Sequence, residues 1–180
     1  EKCDDGDTTA GDGCSTTCTV ESGWECPASL NGRCRAICGD GLIRDTETCD
    51  DSNQRSADGC RGTCPFEVGW LCPIANGTGG ACVADCGDGL VRGLEKCDDA
   101  NRGAGDGCGT TCQPEVGWSC PKGTTGSPLG GSCREICGDN TIVGAEACDD
   151  ANAVGGDGCD SGCRVEDGWS CPSGGGVCNP

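Results

Sequence analysis

CGDGLIRDTETCDDSNQRSADGCRGTCPFEVGWLC, residues 38–72, is the stretch from which the rest of the chain can be read. Its cysteines, Cys38, Cys49, Cys60, Cys64 and Cys72, follow the spacing C-x10-C-x10-C-x3-C-x7-C, and a loop of variable length then leads to Cys82. The spacing returns at Cys86, Cys97, Cys108, Cys112, Cys120 and Cys133, and again at Cys137, Cys148, Cys159, Cys163, Cys171 and Cys178. Cys3, Cys14, Cys18, Cys26 and Cys34 fit it with the first cysteine missing. A fixed period marks an array of small units rather than one globular core. The segments are a partial repeat at 1–37 and whole repeats at 38–85, 86–136 and 137–180. Glu1 stands where Glu47, Glu95 and Glu146 stand, so the spacing predicts that the chain opens inside a repeat, belongs to a longer array and leaves one cysteine unpaired.

Composition points the same way. Hydrophobic residues are 34% of the chain, but cysteine is counted among them. With the 23 cysteines set aside, about a fifth of the residues are apolar, too few for a sizeable core, and units this small are held by disulfides. Gly 35 and Pro 8 predict turns and irregular backbone. Trp24, Trp70, Trp118 and Trp169 each sit in Gly-Trp-x-Cys. Such a ring is either the one large apolar piece that a repeat buries against its disulfides or a member of an exposed row that stacks on a ligand.

Cysteine at this density reads as disulfide rather than zinc. Zinc sites are commonly built from C-x2-C pairs and histidine. Here the close pairs are C-x3-C, histidine is absent, and the cysteines of each whole repeat divide evenly into bridges. Disulfides place the protein outside a reducing cytosol. The fifth and sixth cysteines flank the only loop that changes length, at 27–33, 73–81, 121–132 and 172–177, so local bridges are expected at Cys26 and Cys34, Cys72 and Cys82, Cys120 and Cys133, and Cys171 and Cys178. The pairing of the others stays open.

The acids repeat as strictly as the cysteines. A whole repeat carries C-G-D, a Glu two residues before its second cysteine, C-D-D-x-N, D-G-C and a Glu before Gly-Trp. Most of the net charge of -18 is thus built into the repeat and is not an acidic tail. Calcium takes six to eight oxygens from Asp, Asn, Glu, backbone and water, and short glycine-bearing Asp/Asn turns supply them. Candidate ligands are Asp4, Asp5, Asp7 and Asp12; Asp50, Asp51, Asn53 and Asp58; Asp98, Asp99, Asn101 and Asp106; and Asp149, Asp150, Asn152 and Asp157. The spacing is not that of an EF-hand. A second reading has equal standing: Asp and Asn close turns on their own backbone, and surface acids keep a secreted array soluble.

The string that runs from Cys38 to Cys72 resembles the Myxococcus-type cysteine-rich repeat, and its recurrence extends the resemblance over essentially the whole chain. That resemblance implies an extracellular, disulfide-rich array of the kind found in secreted and surface proteins, including mastigoneme-like fibre proteins, and it brings no assigned activity. A weaker similarity is to Lin-12/Notch repeats, whose cysteine spacing differs, so their ligand positions are not carried over. Asn140 replaces the second glycine of C-G-D-G in the last repeat, and Asp7 replaces the asparagine in the first.

Catalysis finds little footing. Histidine and tyrosine are absent, and carboxylate pairs occur in every repeat, whereas an active site normally occurs once. Lys+Arg 12 against Asp+Glu 30 disfavours nucleic acid, and no apolar run is long enough to span a membrane. Asn76-Gly77-Thr78 is a sequon for N-glycosylation. Only three residues join consecutive repeats, Arg35-Ala36-Ile37, Val83-Ala84-Asp85 and Arg134-Glu135-Ile136, and Ile37 and Ile136, with Ala84 as the small exception, are read as packing contacts.

The expected fold is therefore a set of small disulfide-rich tandem repeats, irregular, with short β-strands and turns and little helix, stacked into an elongated, rod-like array. The expected function is that of a structural component of an extracellular fibre or cell-surface appendage, a rigid spacer that associates with itself, with other fibre or matrix proteins, or with glycans. The alternative is a calcium-dependent adhesion or ligand-binding array.

Overall fold

The computed structural model describes residues 2–27, 32–122 and 130–180; parts of the variable loops at 27–33 and 121–132 lie outside them. Among the described residues there is no helix, and the only strands are six two-residue pieces. They pair as antiparallel ladders: β1 (Trp24–Glu25) with β2 (Arg35–Ala36), β3 (Trp70–Leu71) with β4 (Val83–Ala84), and β5 (Trp118–Ser119) with β6 (Arg134–Glu135). The repeat is thus a small disulfide-rich fold of turns and brief strands. Contacts divide the chain into two compact units, Glu1–Ala84 and Asp85–Pro180.

Each repeat is built from a few closures. At C-x3-C the Cys64 N–H donates to Arg61 O at 2.7 Å and the Arg61 N–H to Pro65 O at 3.1 Å, and the same turn recurs around Cys18, Cys112 and Cys163. All four of these cysteines adopt left-handed φ, between 52° and 60°. A non-glycine residue held there costs strain that the surroundings must offset, and a bridge to a distant cysteine does so in the three whole repeats. Those bridges are Cys38–Cys64, Cys86–Cys112 and Cys137–Cys163. Inside them lie Cys49–Cys60, Cys97–Cys108 and Cys148–Cys159, with Cys3–Cys14 in the partial repeat. The fifth and sixth cysteines pair locally across the variable loop, as Cys26–Cys34, Cys72–Cys82, Cys120–Cys133 and Cys171–Cys178. Cys18 is the free cysteine, in the place of Cys64, Cys112 and Cys163.

The glycine of D-G-C is where the two halves of a repeat meet. A Cβ on Gly107 would lie 2.2 Å from the Cβ of Cys133 and 2.9 Å from the Trp118 ring, and its φ is +113°. Gly13, Gly59 and Gly158 are in the same position against Cys34, Cys82 and Cys178. Only a residue without a side chain lets the local bridge settle on this turn. The core follows from that contact. Buried clusters form at Cys49, Cys60 and Cys64; at Cys97, Cys108, Cys112 and Cys133; and at Cys148, Cys159, Cys163 and Cys178. Trp118 and Trp169 pack on theirs half-buried, and Trp24 is buried. Cystine and one indole take the place of an aliphatic core.

The residues that join repeats are not linkers. Arg35–Ala36 and Arg134–Glu135 are themselves strands, paired back on the tryptophan of the preceding repeat in the register Trp24↔Ala36 and Trp118↔Glu135. The next N–H continues the hold, Ile37 donating to Gly23 O and Ile136 to Gly117 O, both at 2.9 Å. This register corrects the reading of Ala84 as a counterpart of the two isoleucines. Ala84 lies opposite Trp70, as Ala36 lies opposite Trp24, and Asp85 stands where Ile37 and Ile136 stand. Ile136 is exposed while Ile37 is half-buried, so the backbone bonds are the part of the hold that the two joints share.

Non-reducing peptide mapping of the oxidised chain is expected to return Cys97–Cys108 nested inside Cys86–Cys112, with Cys18 as the thiol that maleimide labels. Recovery of Cys86 linked to Cys97, or of labelled cysteines in the whole repeats, would contradict this framework.

Candidate cation centre

The repeated acids divide by environment into classes that spacing alone does not separate. The first Asp of C-D-D is buried: Asp50 and Asp98 are 1% exposed and Asp149 0%. Asp98 Oδ2 accepts the N–H groups of Gly87 at 2.7 Å and Asp88 at 3.3 Å, and its Oδ1 accepts those of Gly89 at 2.7 Å and Ala100 at 2.9 Å. Asp50 receives Gly39, Asp40, Gly41 and Ser52 in the same way, and Asp149 receives Gly138, Asp139, Asn140 and Ala151. A carboxylate offers about four lone-pair sites, and here amides take all of them. These three residues anchor the C-G-D-G loop onto the following turn and leave no lone pair for an ion. Asn140 fits its place because the position needs left-handed φ, 70° there and 84° at Gly41, which asparagine tolerates. Asp4, in the same register, is exposed and accepts the Gly6 N–H.

The Glu before Gly-Trp is a second structural acid. Glu67 Oε2 accepts the N–H groups of Ala57 at 2.7 Å and Gly59 at 3.0 Å, and Glu21, Glu115 and Glu166 repeat this at their own D-G-C turns. Glu47, Glu95 and Glu146 each accept one N–H three residues back, from Arg44, Arg92 and Val143. Oε1 of Glu95 and of Glu146 is buried without a partner. Glu47 and Glu95 lie within 4.8 Å of Asp50 and Asp98 and of the Cys38–Cys64 and Cys86–Cys112 sulfurs, and Glu146 lies as close to those of Cys137–Cys163. Sulfur in a disulfide is not a thiolate, so these groups are not cysteine metal sites. Burial pushes these glutamates above their ordinary 4.5; the N–H bond opposes it, and the charge of Asp50, Asp98 or Asp149 adds to it.

The remaining candidates are brought together. The second Asp of C-D-D lies against the Asp of D-G-C at Asp5 and Asp12, Asp51 and Asp58, and Asp99 and Asp106, and Asp150 and Asp157 occupy the same register. Asp5 Oδ2, Asp12 Oδ1, Asp51 Oδ2, Asp58 Oδ1, Asp99 Oδ2, Asp150 Oδ1 and Asp157 Oδ1 are all buried without a hydrogen-bond partner. Burial first, then the charge of Asp58, pushes the Asp51 carboxyl up, and Asp99 is raised in the same way by burial and Asp106. The asparagine positions this pair. Asn101 Nδ2 donates to Asp106 Oδ2 at 2.8 Å and Asn152 Nδ2 to Asp157 Oδ2 at 3.0 Å, while Asn53 and Asn152 use Oδ1 to close a turn on Arg55 and Val154. Asp7 closes the matching turn on Thr9. The structure thus separates Asp50, Asp98 and Asp149 from their neighbours. The nest of amides on Asp50 was foreshadowed only by the glycines of C-G-D-G.

Asn76 is exposed at the tip of a hairpin, with Asn76 and Gly77 both at left-handed φ, 52° and 74°, between Ala75 and Thr78 whose N–H groups exchange bonds. Two such residues form the tight turn whose twist suits antiparallel strands.

A family model described as a domain of unknown function (DUF4215) matches residues 17–65, 69–113 and 118–164. The chain belongs to this family of cysteine-rich tandem repeats. Each matched segment runs across one of the three joints, so the joint is part of the family's repeating unit. No curated protein and no solved structure matches the chain.

Asp98→Ala should leave four N–H groups without acceptors and destabilise its repeat by on the order of 3 kcal/mol or more. Asp98→Asn should not rescue it, because either orientation of the amide sets its NH2 against two N–H donors. Hydrogen exchange at Gly87 and Gly89 measures this, and protection equal to that of the wild type for either variant would refute the anchoring role.

Acid should act on stability in two opposite steps. Glu47, Glu95 and Glu146, raised above 4.5, bind protons more readily folded than unfolded, so the charge they hold at neutral pH costs stability that returns as pH falls through their folded values. Asp149 and Glu67 lie below their ordinary 3.8 and 4.5; burial pushes each up, and the N–H bonds they accept outweigh it. Their contribution is present above those values and is lost as pH falls through the lowered ones. Thermal unfolding in chelator is therefore expected to show maximal stability on the acid side of neutrality, with a fall below pH 3.8. A steady decline from pH 7 downward would contradict it.

Proposed function

We propose that this chain is a non-catalytic, disulfide-stapled spacer within an extracellular fibre or cell-surface appendage, of the kind built from Myxococcus-type cysteine-rich repeats. The observation that carries this reading is the joint. In each compact unit the residues between repeats are a strand of the preceding hairpin, and the following repeat reaches back over it. Arg44 Nε donates to Ser22 O at 3.3 Å while its Nη1 holds Gly77 O at 3.0 Å. In the other unit Val143 takes that place against Gly117, and the Ala145 N–H donates to Glu135 Oε1 at 3.2 Å. A joint that is hydrogen-bonded on both sides lacks the free dihedrals of a Gly/Ser tether.

Other features support the same reading. A framework of eleven bridges calls for an oxidising compartment, which favours a place outside the cell. Phe66, Leu71 and Val83 leave apolar side chains at the surface, available for lateral contact between copies or with other matrix proteins. Asn76 stands exposed on its turn, open to a glycan.

Small-angle scattering on the oxidised chain tests the proposal. An elongated profile, unchanged between low and high salt, is the expected result. A broad, salt-dependent distribution of distances would mean beads on a flexible string. The spacer reading would then give way to an adhesion array in which repeats act singly on a ligand.

A further inference from the structure

We propose that each repeat holds one hard divalent cation of the calcium class between the second Asp of C-D-D and the Asp of D-G-C, with the intervening Asn or Asp as positioning residue. The sites are Asp5 and Asp12, Asp51 and Asp58, Asp99 and Asp106, and Asp150 and Asp157. This goes beyond the spacer reading and stands whether the array spaces or adheres.

An acidic turn alone would not carry this inference; the orphaned oxygens do. Asp51 and Asp150 are each only 8% exposed, each has one oxygen, Asp51 Oδ2 or Asp150 Oδ1, buried with no hydrogen-bond partner, and Asp51 lies against the Asp58 carboxylate. Burying a charged oxygen without a partner is costly, and a chain normally either pairs it or exposes it. The ion pairs of Arg35 with Glu25, Arg61 with Glu67 and Arg102 with Asp85 engage acids outside these facing pairs. The outer oxygens of the site are already occupied: Asp157 Oδ2 takes the Asn152 amide, and Asp51 Oδ1 takes the Asn53 N–H at 3.3 Å. Those bonds orient each carboxylate so that its unpartnered oxygen points inward. Buried, unpartnered oxygens recur at both positions in repeats whose loop sequences otherwise differ, Ser52-Asn53-Gln54-Arg55 in one and Ala151-Asn152-Ala153-Val154 in another.

The donor set decides the class of ion. Ligands that are all oxygen suit calcium or magnesium and not zinc, and a turn that brings only two carboxylates together leaves the other positions to backbone carbonyls and water. Such a site is weak, in the range of about 10⁻⁴ to 10⁻³ M expected of extracellular modules. That range suits an environment rich in free calcium. The neighbouring Asp50, saturated by amides, contributes negative potential and rigidity without being a ligand.

The test uses the intact, oxidised chain and calcium chloride. Calorimetric titration is expected to give saturable binding that approaches one ion per repeat, and thermal unfolding followed by tryptophan fluorescence should shift upward with calcium and return with EDTA. Asp51→Asn and, as a separate variant in case the first misfolds, Asp150→Asn should each lower the stoichiometry by one ion per chain. Each should also leave the apo chain at least as stable as the wild type, because the repulsion within the pair is relieved. No binding heat, or a stabilisation matched by sodium chloride of equal ionic strength, would overturn the proposal and leave the paired acids as a shared-proton or screened-charge feature. Unchanged stoichiometry in both folded variants would overturn it equally.

Discussion

A carboxylate without a countercharge sits at the centre of every whole repeat, and the rest of the repeat is arranged around it. Asp50, Asp98 and Asp149 are among the largest fully buried side chains. Four amides converge on each, two of them from the glycines or asparagine of the loop that begins at the first cysteine. The bridge from that cysteine to the fourth, such as Cys86–Cys112, closes over the same aspartate. Loop, turn and bridge are therefore interdependent: the anion draws the amides inward, and the bridges keep water from replacing it.

Disulfides make such a centre affordable. A chain this poor in aliphatic residues cannot offset the conformational entropy of folding by hydrophobic burial alone. Cross-links shift the balance by restricting the unfolded chain. For loops as short as the separation of 11 between Cys97 and Cys108, each is worth roughly 3 kcal/mol. With bridges supplying that stability, the interior is free to be polar. The repeat holds acids in three different states: fully bonded by amides in Asp98, half bonded in Glu95, and half bonded beside a second carboxylate in Asp99.

The joints extend this economy from one repeat to the next. No extra domain or linker is spent on connecting repeats, since the strand that completes one hairpin is the chain's approach to the next first cysteine. Arg44 and Val143 show how chemistry can change while the contact persists. One crosses the joint through hydrogen bonds to carbonyls, and the other lays methyl groups on the glycine before the tryptophan. An array made this way can lengthen by adding copies, and each added copy would bring another variable loop and another acidic pair.

Spacing in the sequence by itself determined the tandem repetition, the local bridge across each variable loop and the absence of an aliphatic core. These follow from covalent counting, because a bridge that must tolerate loops of different length has to close them locally. Which of two adjacent aspartates is a structural anchor and which faces an unmet charge was decided only by the tertiary structure. Asp50 and Asp51 are the same residue type one position apart, and no periodicity tells them apart. What separates them is the side of the turn each occupies: Asp50 points to amides delivered from ten residues upstream, and Asp51 to a carboxylate seven residues downstream. The pairing of first with fourth and second with third cysteines was hidden for the same reason, since it depends on how the Cys64 turn folds back in three dimensions and on nothing in the one-dimensional spacing.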